Sequence, residues 1–417
     1  RGFRIRSQHC VRPPQTQKDI NHKTVCSTAV RTAALLAKRR SSPFDSPHLR
    51  LHFSADAPLE IKAILFVPKK NMEKLGMWRT ECKVALHCRK VLIDPEPKSL
   101  FPEWLRFLRG VVDSTDLPLN VSRETMQDNA LIHKLNSVLT KRFLKFLAET
   151  SKKEPDSYLE FWKEFGLLIK EGAATDFDHR EAIAKLLRFE SSILEPGELT
   201  GLEDYVTRMP KEQKEILFLF GRNREAIESG PYLEALKARN LEVLILTEPV
   251  DEYVMQSVRE FDEKKLLSAD SEDLKLEKLD DEPEGERISK KALKGLCKWM
   301  KETLGERVTD VEEGERLLDS PVCVVGGDAM GGPSARRVMK LMQGTDATMP
   351  PPSVKLQINP RHPIFKGLSE LRESNTETAG LIANQLLDNA LASADLLEDP
   401  REMISRNFQA LEKLATK

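Results

Sequence analysis

The chain has 417 residues, of which 31% are charged and 40% hydrophobic, and its 65 Lys plus Arg nearly balance its 66 Asp plus Glu. This length is too great for one hydrophobic core and predicts two to three domains. The balanced charge gives no overall signal for a nucleic-acid or membrane partner, and no apolar run is long enough to predict a transmembrane helix.

Residues 1–42 differ from the rest of the chain. They hold ten Lys or Arg and a single acid, Asp19. Arg-rich, acid-poor segments containing Ser and Thr are typical of organellar targeting peptides. A disordered basic tail and an error of the gene model are the open alternatives. Folded sequence is expected to begin near Pro43.

Residues 43–177 are predicted to form the first α/β part of the fold. Apolar runs predict strands at 59–68 and 82–93, and helical spacing predicts helices at 104–112, 129–149 and 157–170. The last helix carries an aromatic stripe, which is typical of core packing, with a client-contact surface as the alternative. The stripe consists of Tyr158, Phe161, Trp162 and Phe165.

Residues 178–267 are predicted to form a second, smaller α/β part. Helices are expected at 179–189 and 226–239, and apolar strands at 216–220 and 243–246. A strand, helix and strand joined by short loops predict a right-handed parallel crossover. The glycine after the first strand, Gly221, lacks the further glycines of a dinucleotide-binding loop.

Residues 268–289 are predicted to be an acidic linker, because nine Asp or Glu lie between Asp270 and Glu286. The last domain, 290–417, is predicted to be α+β. Its elements are a helix at 290–304, strands near Val308 and at 321–325 and 354–358, and helices at about 376–394 and 400–415.

The segment from Leu117 to Gln127 is the sharpest candidate site. Ser122 is a good N-cap, and Arg123 and Gln127 then lie one turn apart on the same helix face. A guanidinium at a helix N-terminus suits an anion, although a surface salt bridge is the commoner use of such an arginine. No phosphate-binding loop is predicted elsewhere, since Gly332-Pro333 stands where Lys and Ser or Thr are needed.

Two further surfaces and the cysteines complete the candidates. An amphipathic, Met-containing helix is predicted after the glycine-rich segment, and it suits an irregular apolar partner, with packing on its own domain as the alternative. Wide apolar stripes on the last two helices suggest burial against a partner subunit, with packing inside the same chain as the alternative. The six cysteines fit no common zinc spacing and are expected to be reduced thiols, so no metal site is predicted.

Several motifs resemble the heat shock protein 90 family of molecular chaperones, and the resemblance covers about residues 45–417. The motifs are 101–124 (FPEWLRFLRGVVDSTDLPLNVSRE), 52–54 (HFS), the 63–69 strand, 204–209 (DYVTRM), 247–253 (TEPVDEY) and 359–363 (NPRHP). The stretches 330–337 and 359–362 look most like the mitochondrial branch of that family, which is therefore the expected one. The implied fold is a middle domain in two α/β parts followed by an α+β C-terminal dimerisation domain.

The resemblance implies roles for named residues. Arg123 would reach the γ-phosphate of ATP held by an N-terminal domain, and Gln127 would support the same catalytic loop. Nothing in the chain resembles that N-terminal domain, so ATP and Mg²⁺ are expected in the full-length family protein and not on this chain alone, and its ATPase activity is uncertain. Client contacts are implied at Met330, Val338, Met339 and Met342, and homodimer contacts at Leu386, Leu387, Leu391, Ile404, Phe408 and Leu411.

The resulting prediction is the body of an ATP-dependent chaperone that binds unfolded or partly folded client proteins. The alternative is a non-enzymatic dimeric scaffold that binds clients or partners without ATP turnover. No nucleic-acid or membrane partner is expected. The expected location is the mitochondrial matrix, with plastid or cytoplasm as alternatives, because the acidic C-terminal tail of cytosolic members has no counterpart at Lys417.

Overall fold

The structure is a computed structural model that describes residues 47–57, 59–76, 79–117, 129–276, 287–326, 354–397 and 399–415. The basic segment 1–42 lies outside these ranges. The chain divides between Phe165 and Gly166 into two compact units. Helices and mixed sheets make up both units, which confirms the predicted α/β and α+β fold class.

The first unit contains a five-stranded sheet in the order β1-β2-β5-β3-β4. Strands β3 and β5 are parallel, and the other neighbours are antiparallel. The strands are β1 (Leu49–Ala55), β2 (Ile61–Val67), β3 (Lys83–Cys88), β4 (Val91–Asp94) and β5 (Arg109–Ser114), and the helices that follow are α1 (Asn129–Lys153) and α2 (Pro155–Thr175), which continues past the division.

An aromatic cluster forms much of the core of the first unit. Phe107, which precedes β5, packs on Phe165 of α2 with ring centroids 4.7 Å apart and on Phe143 of α1 at 6.1 Å. The predicted stripe on α2 is buried, with Tyr158 and Phe161 at 1% and 0% exposure. The core interpretation of that stripe is therefore confirmed, and the client-contact alternative is wrong.

The second unit begins with another five-stranded sheet, in the order β6-β8-β7-β10-β9. Strand β7 pairs in parallel with both β8 and β10, which confirms the predicted parallel crossover. The elements in chain order are α3 (Arg180–Ala184), β6 (Glu190–Ser191), α4 (Leu202–Arg208), β7 (Glu215–Phe220), α5 (Arg224–Glu228), α6 (Glu234–Ala238), β8 (Leu244–Leu246), α7 (Pro249–Val258), β9 (Glu260–Phe261) and β10 (Lys264–Ser268).

The C-terminal part of this unit has a three-stranded sheet in the order β11-β13-β12, and helices follow it. Its elements are α8 (Lys290–Leu304), β11 (Val308–Glu313), β12 (Val322–Val325), β13 (Val354–Ile358), α9 (Pro363–Ser374), α10 (Thr376–Ser393) and α11 (Pro400–Ala415). Helix α9 was not predicted, whereas the bounds of α8 and β13 match the prediction.

One continuous core joins the two parts of the second unit that the sequence separates. Buried apolar side chains run from Leu217 of β7 to Leu391 of α10. Tyr232 Oη donates a 2.6 Å hydrogen bond to the Val324 carbonyl, and the buried Arg316 donates to the Ala269 carbonyl at 2.9 Å. The predicted linker therefore starts inside the fold, because residues 268–270 are buried; its residues 277–286 lie outside the described ranges. The predicted domain boundaries stay predictions.

Candidate functional site

The two predicted catalytic residues, Arg123 and Gln127, fall in 118–128, outside the described residues. The structure defines the chain on both sides of them. Before the segment, Thr115 Oγ1 donates to Glu60 Oε2 at 2.8 Å, and the Glu60 amide donates to Asp116 Oδ2 at 2.8 Å. The hydrogen bond from Thr115, together with the hydrogen bond and charge of the Lys62 ammonium, lowers the pKa of Glu60. These bonds fix the chain that leads into the candidate loop.

Helix α1 fixes the chain after the loop. Its buried side chains recur every three or four residues, so one face of the helix belongs to the core. Asn136 also donates from its amide nitrogen to the Ser99 carbonyl at 2.9 Å. The buried residues of this face are Ile132, Leu135, Leu139, Phe143 and Leu147. The described chain therefore stops after the end of β5 and resumes in a packed helix.

A half-buried charge network lies just ahead of β5 and was not predicted. Arg106 holds Glu73 with both Nε and Nη2, at 3.0 and 3.1 Å, and Thr80 donates its amide and hydroxyl to the same carboxylate at 2.9 and 2.6 Å. Burial raises the pKa of Glu73, but the bonds from Arg106 and Thr80 outweigh it and lower the pKa from 4.5 to about 2. A paired, bidentate carboxylate of this kind stabilises the fold at the start of β5.

Replacing Glu73 with glutamine is expected to lower the free energy of unfolding by up to about 3 kcal/mol near neutral pH. Because the folded-state pKa lies below the ordinary value, this contribution is complete above about pH 5 and is lost as the pH falls toward about 2. Urea unfolding across that range should show the difference between the two proteins shrinking as the pH falls. Glu103→Gln is the control, since its side chain is 83% exposed. A difference that stays constant with pH would contradict the assignment.

The motifs at 204–209 and 247–253 hold the second unit together. Tyr205 Oη donates to the Glu242 carbonyl at 2.6 Å and accepts from the Leu217 amide at 3.0 Å. Arg208 pairs with both oxygens of Glu242, at 2.7 and 3.0 Å. Burial raises the pKa of the Tyr205 phenol, so this group remains a hydrogen-bond donor at neutral pH. These residues therefore carry structural roles.

A buried ion pair anchors the 247–253 motif. Lys170 Nζ lies 2.7 Å from Asp251 Oδ1, and the two side chains are only 8% and 2% exposed. Glu248 also accepts from Lys170 at 2.7 Å. Burial raises the pKa of the Asp251 carboxyl, and the ammonium of Lys170 opposes that rise. Sequence spacing cannot reveal this pair, because Lys170 and Asp251 come from separate helices.

The four predicted client-binding residues, Met330, Val338, Met339 and Met342, lie in 327–353, outside the described ranges. Val325, at the end of β12, pairs with Lys355, near the start of the antiparallel β13. The described chain therefore stops and resumes at the same end of this sheet. The described residues offer another apolar surface. On β4, at the edge of the first sheet, Val91 and Leu92 are 56% and 42% exposed.

The predicted dimer contacts divide into two groups. Leu386, Leu387 and Leu391 are buried in the core of their own chain. Helix α10 packs against α8, α9 and β12, so the stripe that holds these three residues is covered within its own chain, as the alternative had it, and their dimer contact stays a prediction. On α11 the apolar side chains face solvent instead: Ile404, Phe408, Leu411 and Leu414 are exposed by 45%, 67%, 53% and 70%.

A buried carboxylate attaches α11 to the fold. Asp388 of α10 is fully buried and accepts from Arg406 Nε at 2.8 Å, and Arg307 Nη2 pairs with its other oxygen. Lys413 also pairs with Glu377 at 2.9 Å. These contacts hold the polar face of α11 against α10 and turn its apolar face outward. The sequence signal that could have identified Asp388 is an acid among buried leucines and alanines.

The described cysteines show no feature of a reactive or metal-binding site. Burial raises the pKa of the Cys82 and Cys297 thiols to about 11 and that of Cys323 to about 12, so these thiols stay protonated at neutral pH. Across the described ranges, no group of three or more His, Cys, Asp or Glu side chains is placed to hold a metal ion. None of the helices described combines the length and apolarity needed to cross a membrane.

Comparison with known proteins gives one consistent result. The family model described as Hsp90 protein matches residues 38–416. Chaperone protein HtpG of Desulfitobacterium hafniense is 50% identical over 374 residues, which is 89% of this chain and 60% of that protein. The mitochondrial heat shock protein 75 kDa of Rattus norvegicus is 41% identical over 371 residues, 87% of this chain and 52% of that protein.

The mitochondrial TNF receptor-associated protein 1 homolog of Dictyostelium discoideum is 40% identical over 381 residues, 90% of this chain and 53% of that protein. The chain belongs to the Hsp90 family of chaperones. It spans between about half and three fifths of the length of these relatives. Bacterial and mitochondrial branches both match, so the family is shown while the cellular location stays a prediction.

Proposed function

We propose that the chain is the body of an ATP-dependent molecular chaperone that binds unfolded or partly folded client proteins and assists their folding. The observation that carries this proposal is the match to the Hsp90 family over residues 38–416. The exposed apolar side chains on β4 and α11 support it, because soluble proteins keep such patches chiefly for interaction.

The ATP-dependent step is assigned to Arg123, with Gln127 in support. A cation placed at the transferring phosphoryl group stabilises the charge of the transition state. The fixed chain on either side, from Thr115 to Asp116 and from Asn136 onward, is what positioning such a loop requires. ATP and Mg²⁺ would be held by the N-terminal domain of the full-length protein, as the match to the Hsp90 family supports.

Client binding is assigned to two surfaces. The first is the predicted amphipathic helix with Met330, Val338, Met339 and Met342. The second is the outer edge of β4, to which no strand of the described part pairs. An edge strand with exposed Val91 and Leu92 offers backbone donors and acceptors together with apolar side chains, which suits an extended, unfolded segment.

The proposed assembly is a homodimer through α11. Its exposed face, Ile404, Phe408 and Leu411, recurs at positions i, i+4 and i+7, so it forms one stripe on a helix whose other face is fixed by Asp388. A second copy of the same stripe would cover it in a symmetric contact. The proposed location is the mitochondrial matrix, with plastid or cytoplasm as alternatives, and the mitochondrial relatives support it.

Changing both Val91 and Leu92 to lysine is expected to weaken binding of an unfolded protein roughly tenfold, because about 2 kcal/mol of apolar burial is lost. The measurement is fluorescence anisotropy with labelled, reduced and carboxymethylated α-lactalbumin. Ile193→Lys is the matched control, since Ile193 is 53% exposed but lies outside any sheet edge. If the double variant and the unchanged chain bind the unfolded protein with equal affinity, β4 is not part of the client-binding surface.

A further inference from the structure

Helix α8 has two faces of opposite character. Its buried face consists of Leu293, Leu296, Met300 and Leu304. On the other face, exposed lysines follow one another at intervals of three, four and three residues. With a rise of 1.5 Å per residue this row is about 15 Å long. Its members are Lys291, Lys294, Lys298 and Lys301.

An arginine from another helix lies beside this lysine row. A Cβ added at Gly295 would lie 3.6 Å from Arg372 Nη1 and 3.7 Å from Nη2, so the guanidinium of α9 packs over the glycine in the exposed face. The Arg372 side chain is only 19% exposed, and its ion pair in the described part is a loose one with Glu373 at 4.0 Å. Arg372 therefore lies beside Gly295 on the same exposed face of α8 as the lysine row.

Helix stability does not explain this arrangement. The first turn of α8 has no acidic residue and begins with Lys290 and Lys291, although the helix dipole disfavours cations there. At the other end, Lys301 pairs with Asp310 at 3.3 Å and Lys298 approaches Glu302 at 3.9 Å. Lys290, Lys291 and Lys294 make no ion pair with any residue that the structure describes. Like charges left together and unpaired point to a binding role.

We propose that the lysine row and Arg372 form a docking surface for an acidic segment of a partner protein. The arginine fork can hold a carboxylate with two parallel hydrogen bonds, while the lysines supply point charges along the helix. A segment that matches the row is about ten residues long if helical, or about five if extended.

Two other classes of polyanion fit this surface less well. The lysine face carries no exposed aromatic side chain for stacking on bases and no exposed apolar side chain for insertion into a membrane, because the apolar residues of α8 are buried or half-buried. Glu302 and Asp310 close one end of the row and would repel a continuous array of phosphates. Discrete carboxylates on a short segment avoid that repulsion.

The test uses the full chain and a fluorescein-labelled, twelve-residue glutamate-rich peptide at low salt. The triple substitution Lys291→Gln, Lys294→Gln and Lys298→Gln is expected to weaken binding of the peptide at least about tenfold. Added salt should abolish most of the binding that the triple variant retains. Arg372→Lys keeps the charge but loses the fork, so it should weaken binding less than Arg372→Gln. The three lysines lie on the surface and Arg372 is half-buried, so the melting temperature of each variant checks that it folds.

The matched control is Lys134→Gln, Lys141→Gln and Lys145→Gln, which removes three exposed lysines from one face of α1. This control should bind the peptide as the unchanged chain does. The proposal is overturned if the two triple variants lose affinity equally, since net charge alone would then explain binding. It is also overturned if duplex DNA or vesicles of anionic lipid bind this surface more tightly than the peptide, or if the unchanged chain does not bind the peptide.

Discussion

Replacing Arg123 with alanine is expected to slow ATP hydrolysis about a thousandfold, roughly 4 kcal/mol, in the chain joined to the N-terminal ATP-binding domain of a family member. The reason is the loss of a positive charge at the phosphoryl group during its transfer. Because the guanidinium is proposed to point at a phosphate, the same change should leave the melting temperature almost unchanged. A surface salt bridge in place of a catalytic contact would contribute at most about 1 kcal/mol to stability.

The measurement is steady-state ATP turnover together with thermal unfolding of each variant. Arg142→Ala removes an exposed arginine from α1 and serves as the matched control. Gln127→Ala should show the same pattern as Arg123→Ala more weakly, because an amide supports the loop without adding charge. Turnover at the parent rate in both variants would show that the role implied by the family does not apply to these residues.

Replacing Asp388 with alanine is expected to cost about 3–5 kcal/mol of stability, since it leaves two arginines without their buried partner. Asp388 is fully buried, and Arg406 Nη2 lies 2.6 Å from its Oδ2. Without this carboxylate, α11 loses its principal polar link to α10. The proposed dimer should dissociate as well, because the outward-facing stripe of α11 is no longer held in place.

A second pair of substitutions separates the fold from the assembly. Phe408→Glu with Leu411→Glu should give a monomer in sedimentation velocity, while the free energy of unfolding of the folded monomer changes by only about 0.5 kcal/mol, as for other surface positions. Asp388→Ala should lose both stability and dimer. If the Phe408 and Leu411 double variant stays fully dimeric, the interface lies away from α11.

The apolar spacing in the sequence predicted elements that stand alone in their segment. It gave the wrong element where a turn and a strand follow each other directly. The apolar spacing at 104–112 predicted a helix, but the structure has a 3₁₀ turn at Glu103–Leu105 followed by β5. The turn buries Trp104 and Leu105, and the strand then buries alternate residues. Together these buried positions have the spacing expected of one helix face. Within β5, position 110 requires glycine, because a Cβ there would lie 2.1 Å from the Ile64 carbonyl oxygen of the neighbouring strand β2.

Turn chemistry explains the other differences. The single strand predicted at 82–93 is the hairpin of β3 and β4, which turns at Arg89 and Lys90 with φ of 49° and 69°. These residues replace the Asn and Gly that would have marked such a turn in the sequence. The helix predicted at 226–239 is two short helices, α5 and α6, separated at Gly230-Pro231.

Contacts between residues that are separated along the chain could not be predicted from the sequence pattern. Helix α11 leaves its apolar stripe exposed, whereas α10 buries Leu387 within the chain. The sequence pattern is alike in both helices, because burial of a terminal helix depends on which elements return to cover it. Glu73 with Arg106 and Asp388 with Arg406 likewise join residues far apart in the chain. No local period marks such pairs.

The most direct test of the proposed chaperone function is the refolding of a chemically denatured enzyme by the chain joined to the N-terminal ATP-binding domain of a family member. An ATP-dependent chaperone body should raise the recovered activity with ATP and Mg²⁺ and lose most of that gain when Arg123 is replaced by alanine. Equal recovery with and without ATP, in a protein that still binds the denatured enzyme, would contradict this function and support a non-enzymatic scaffold.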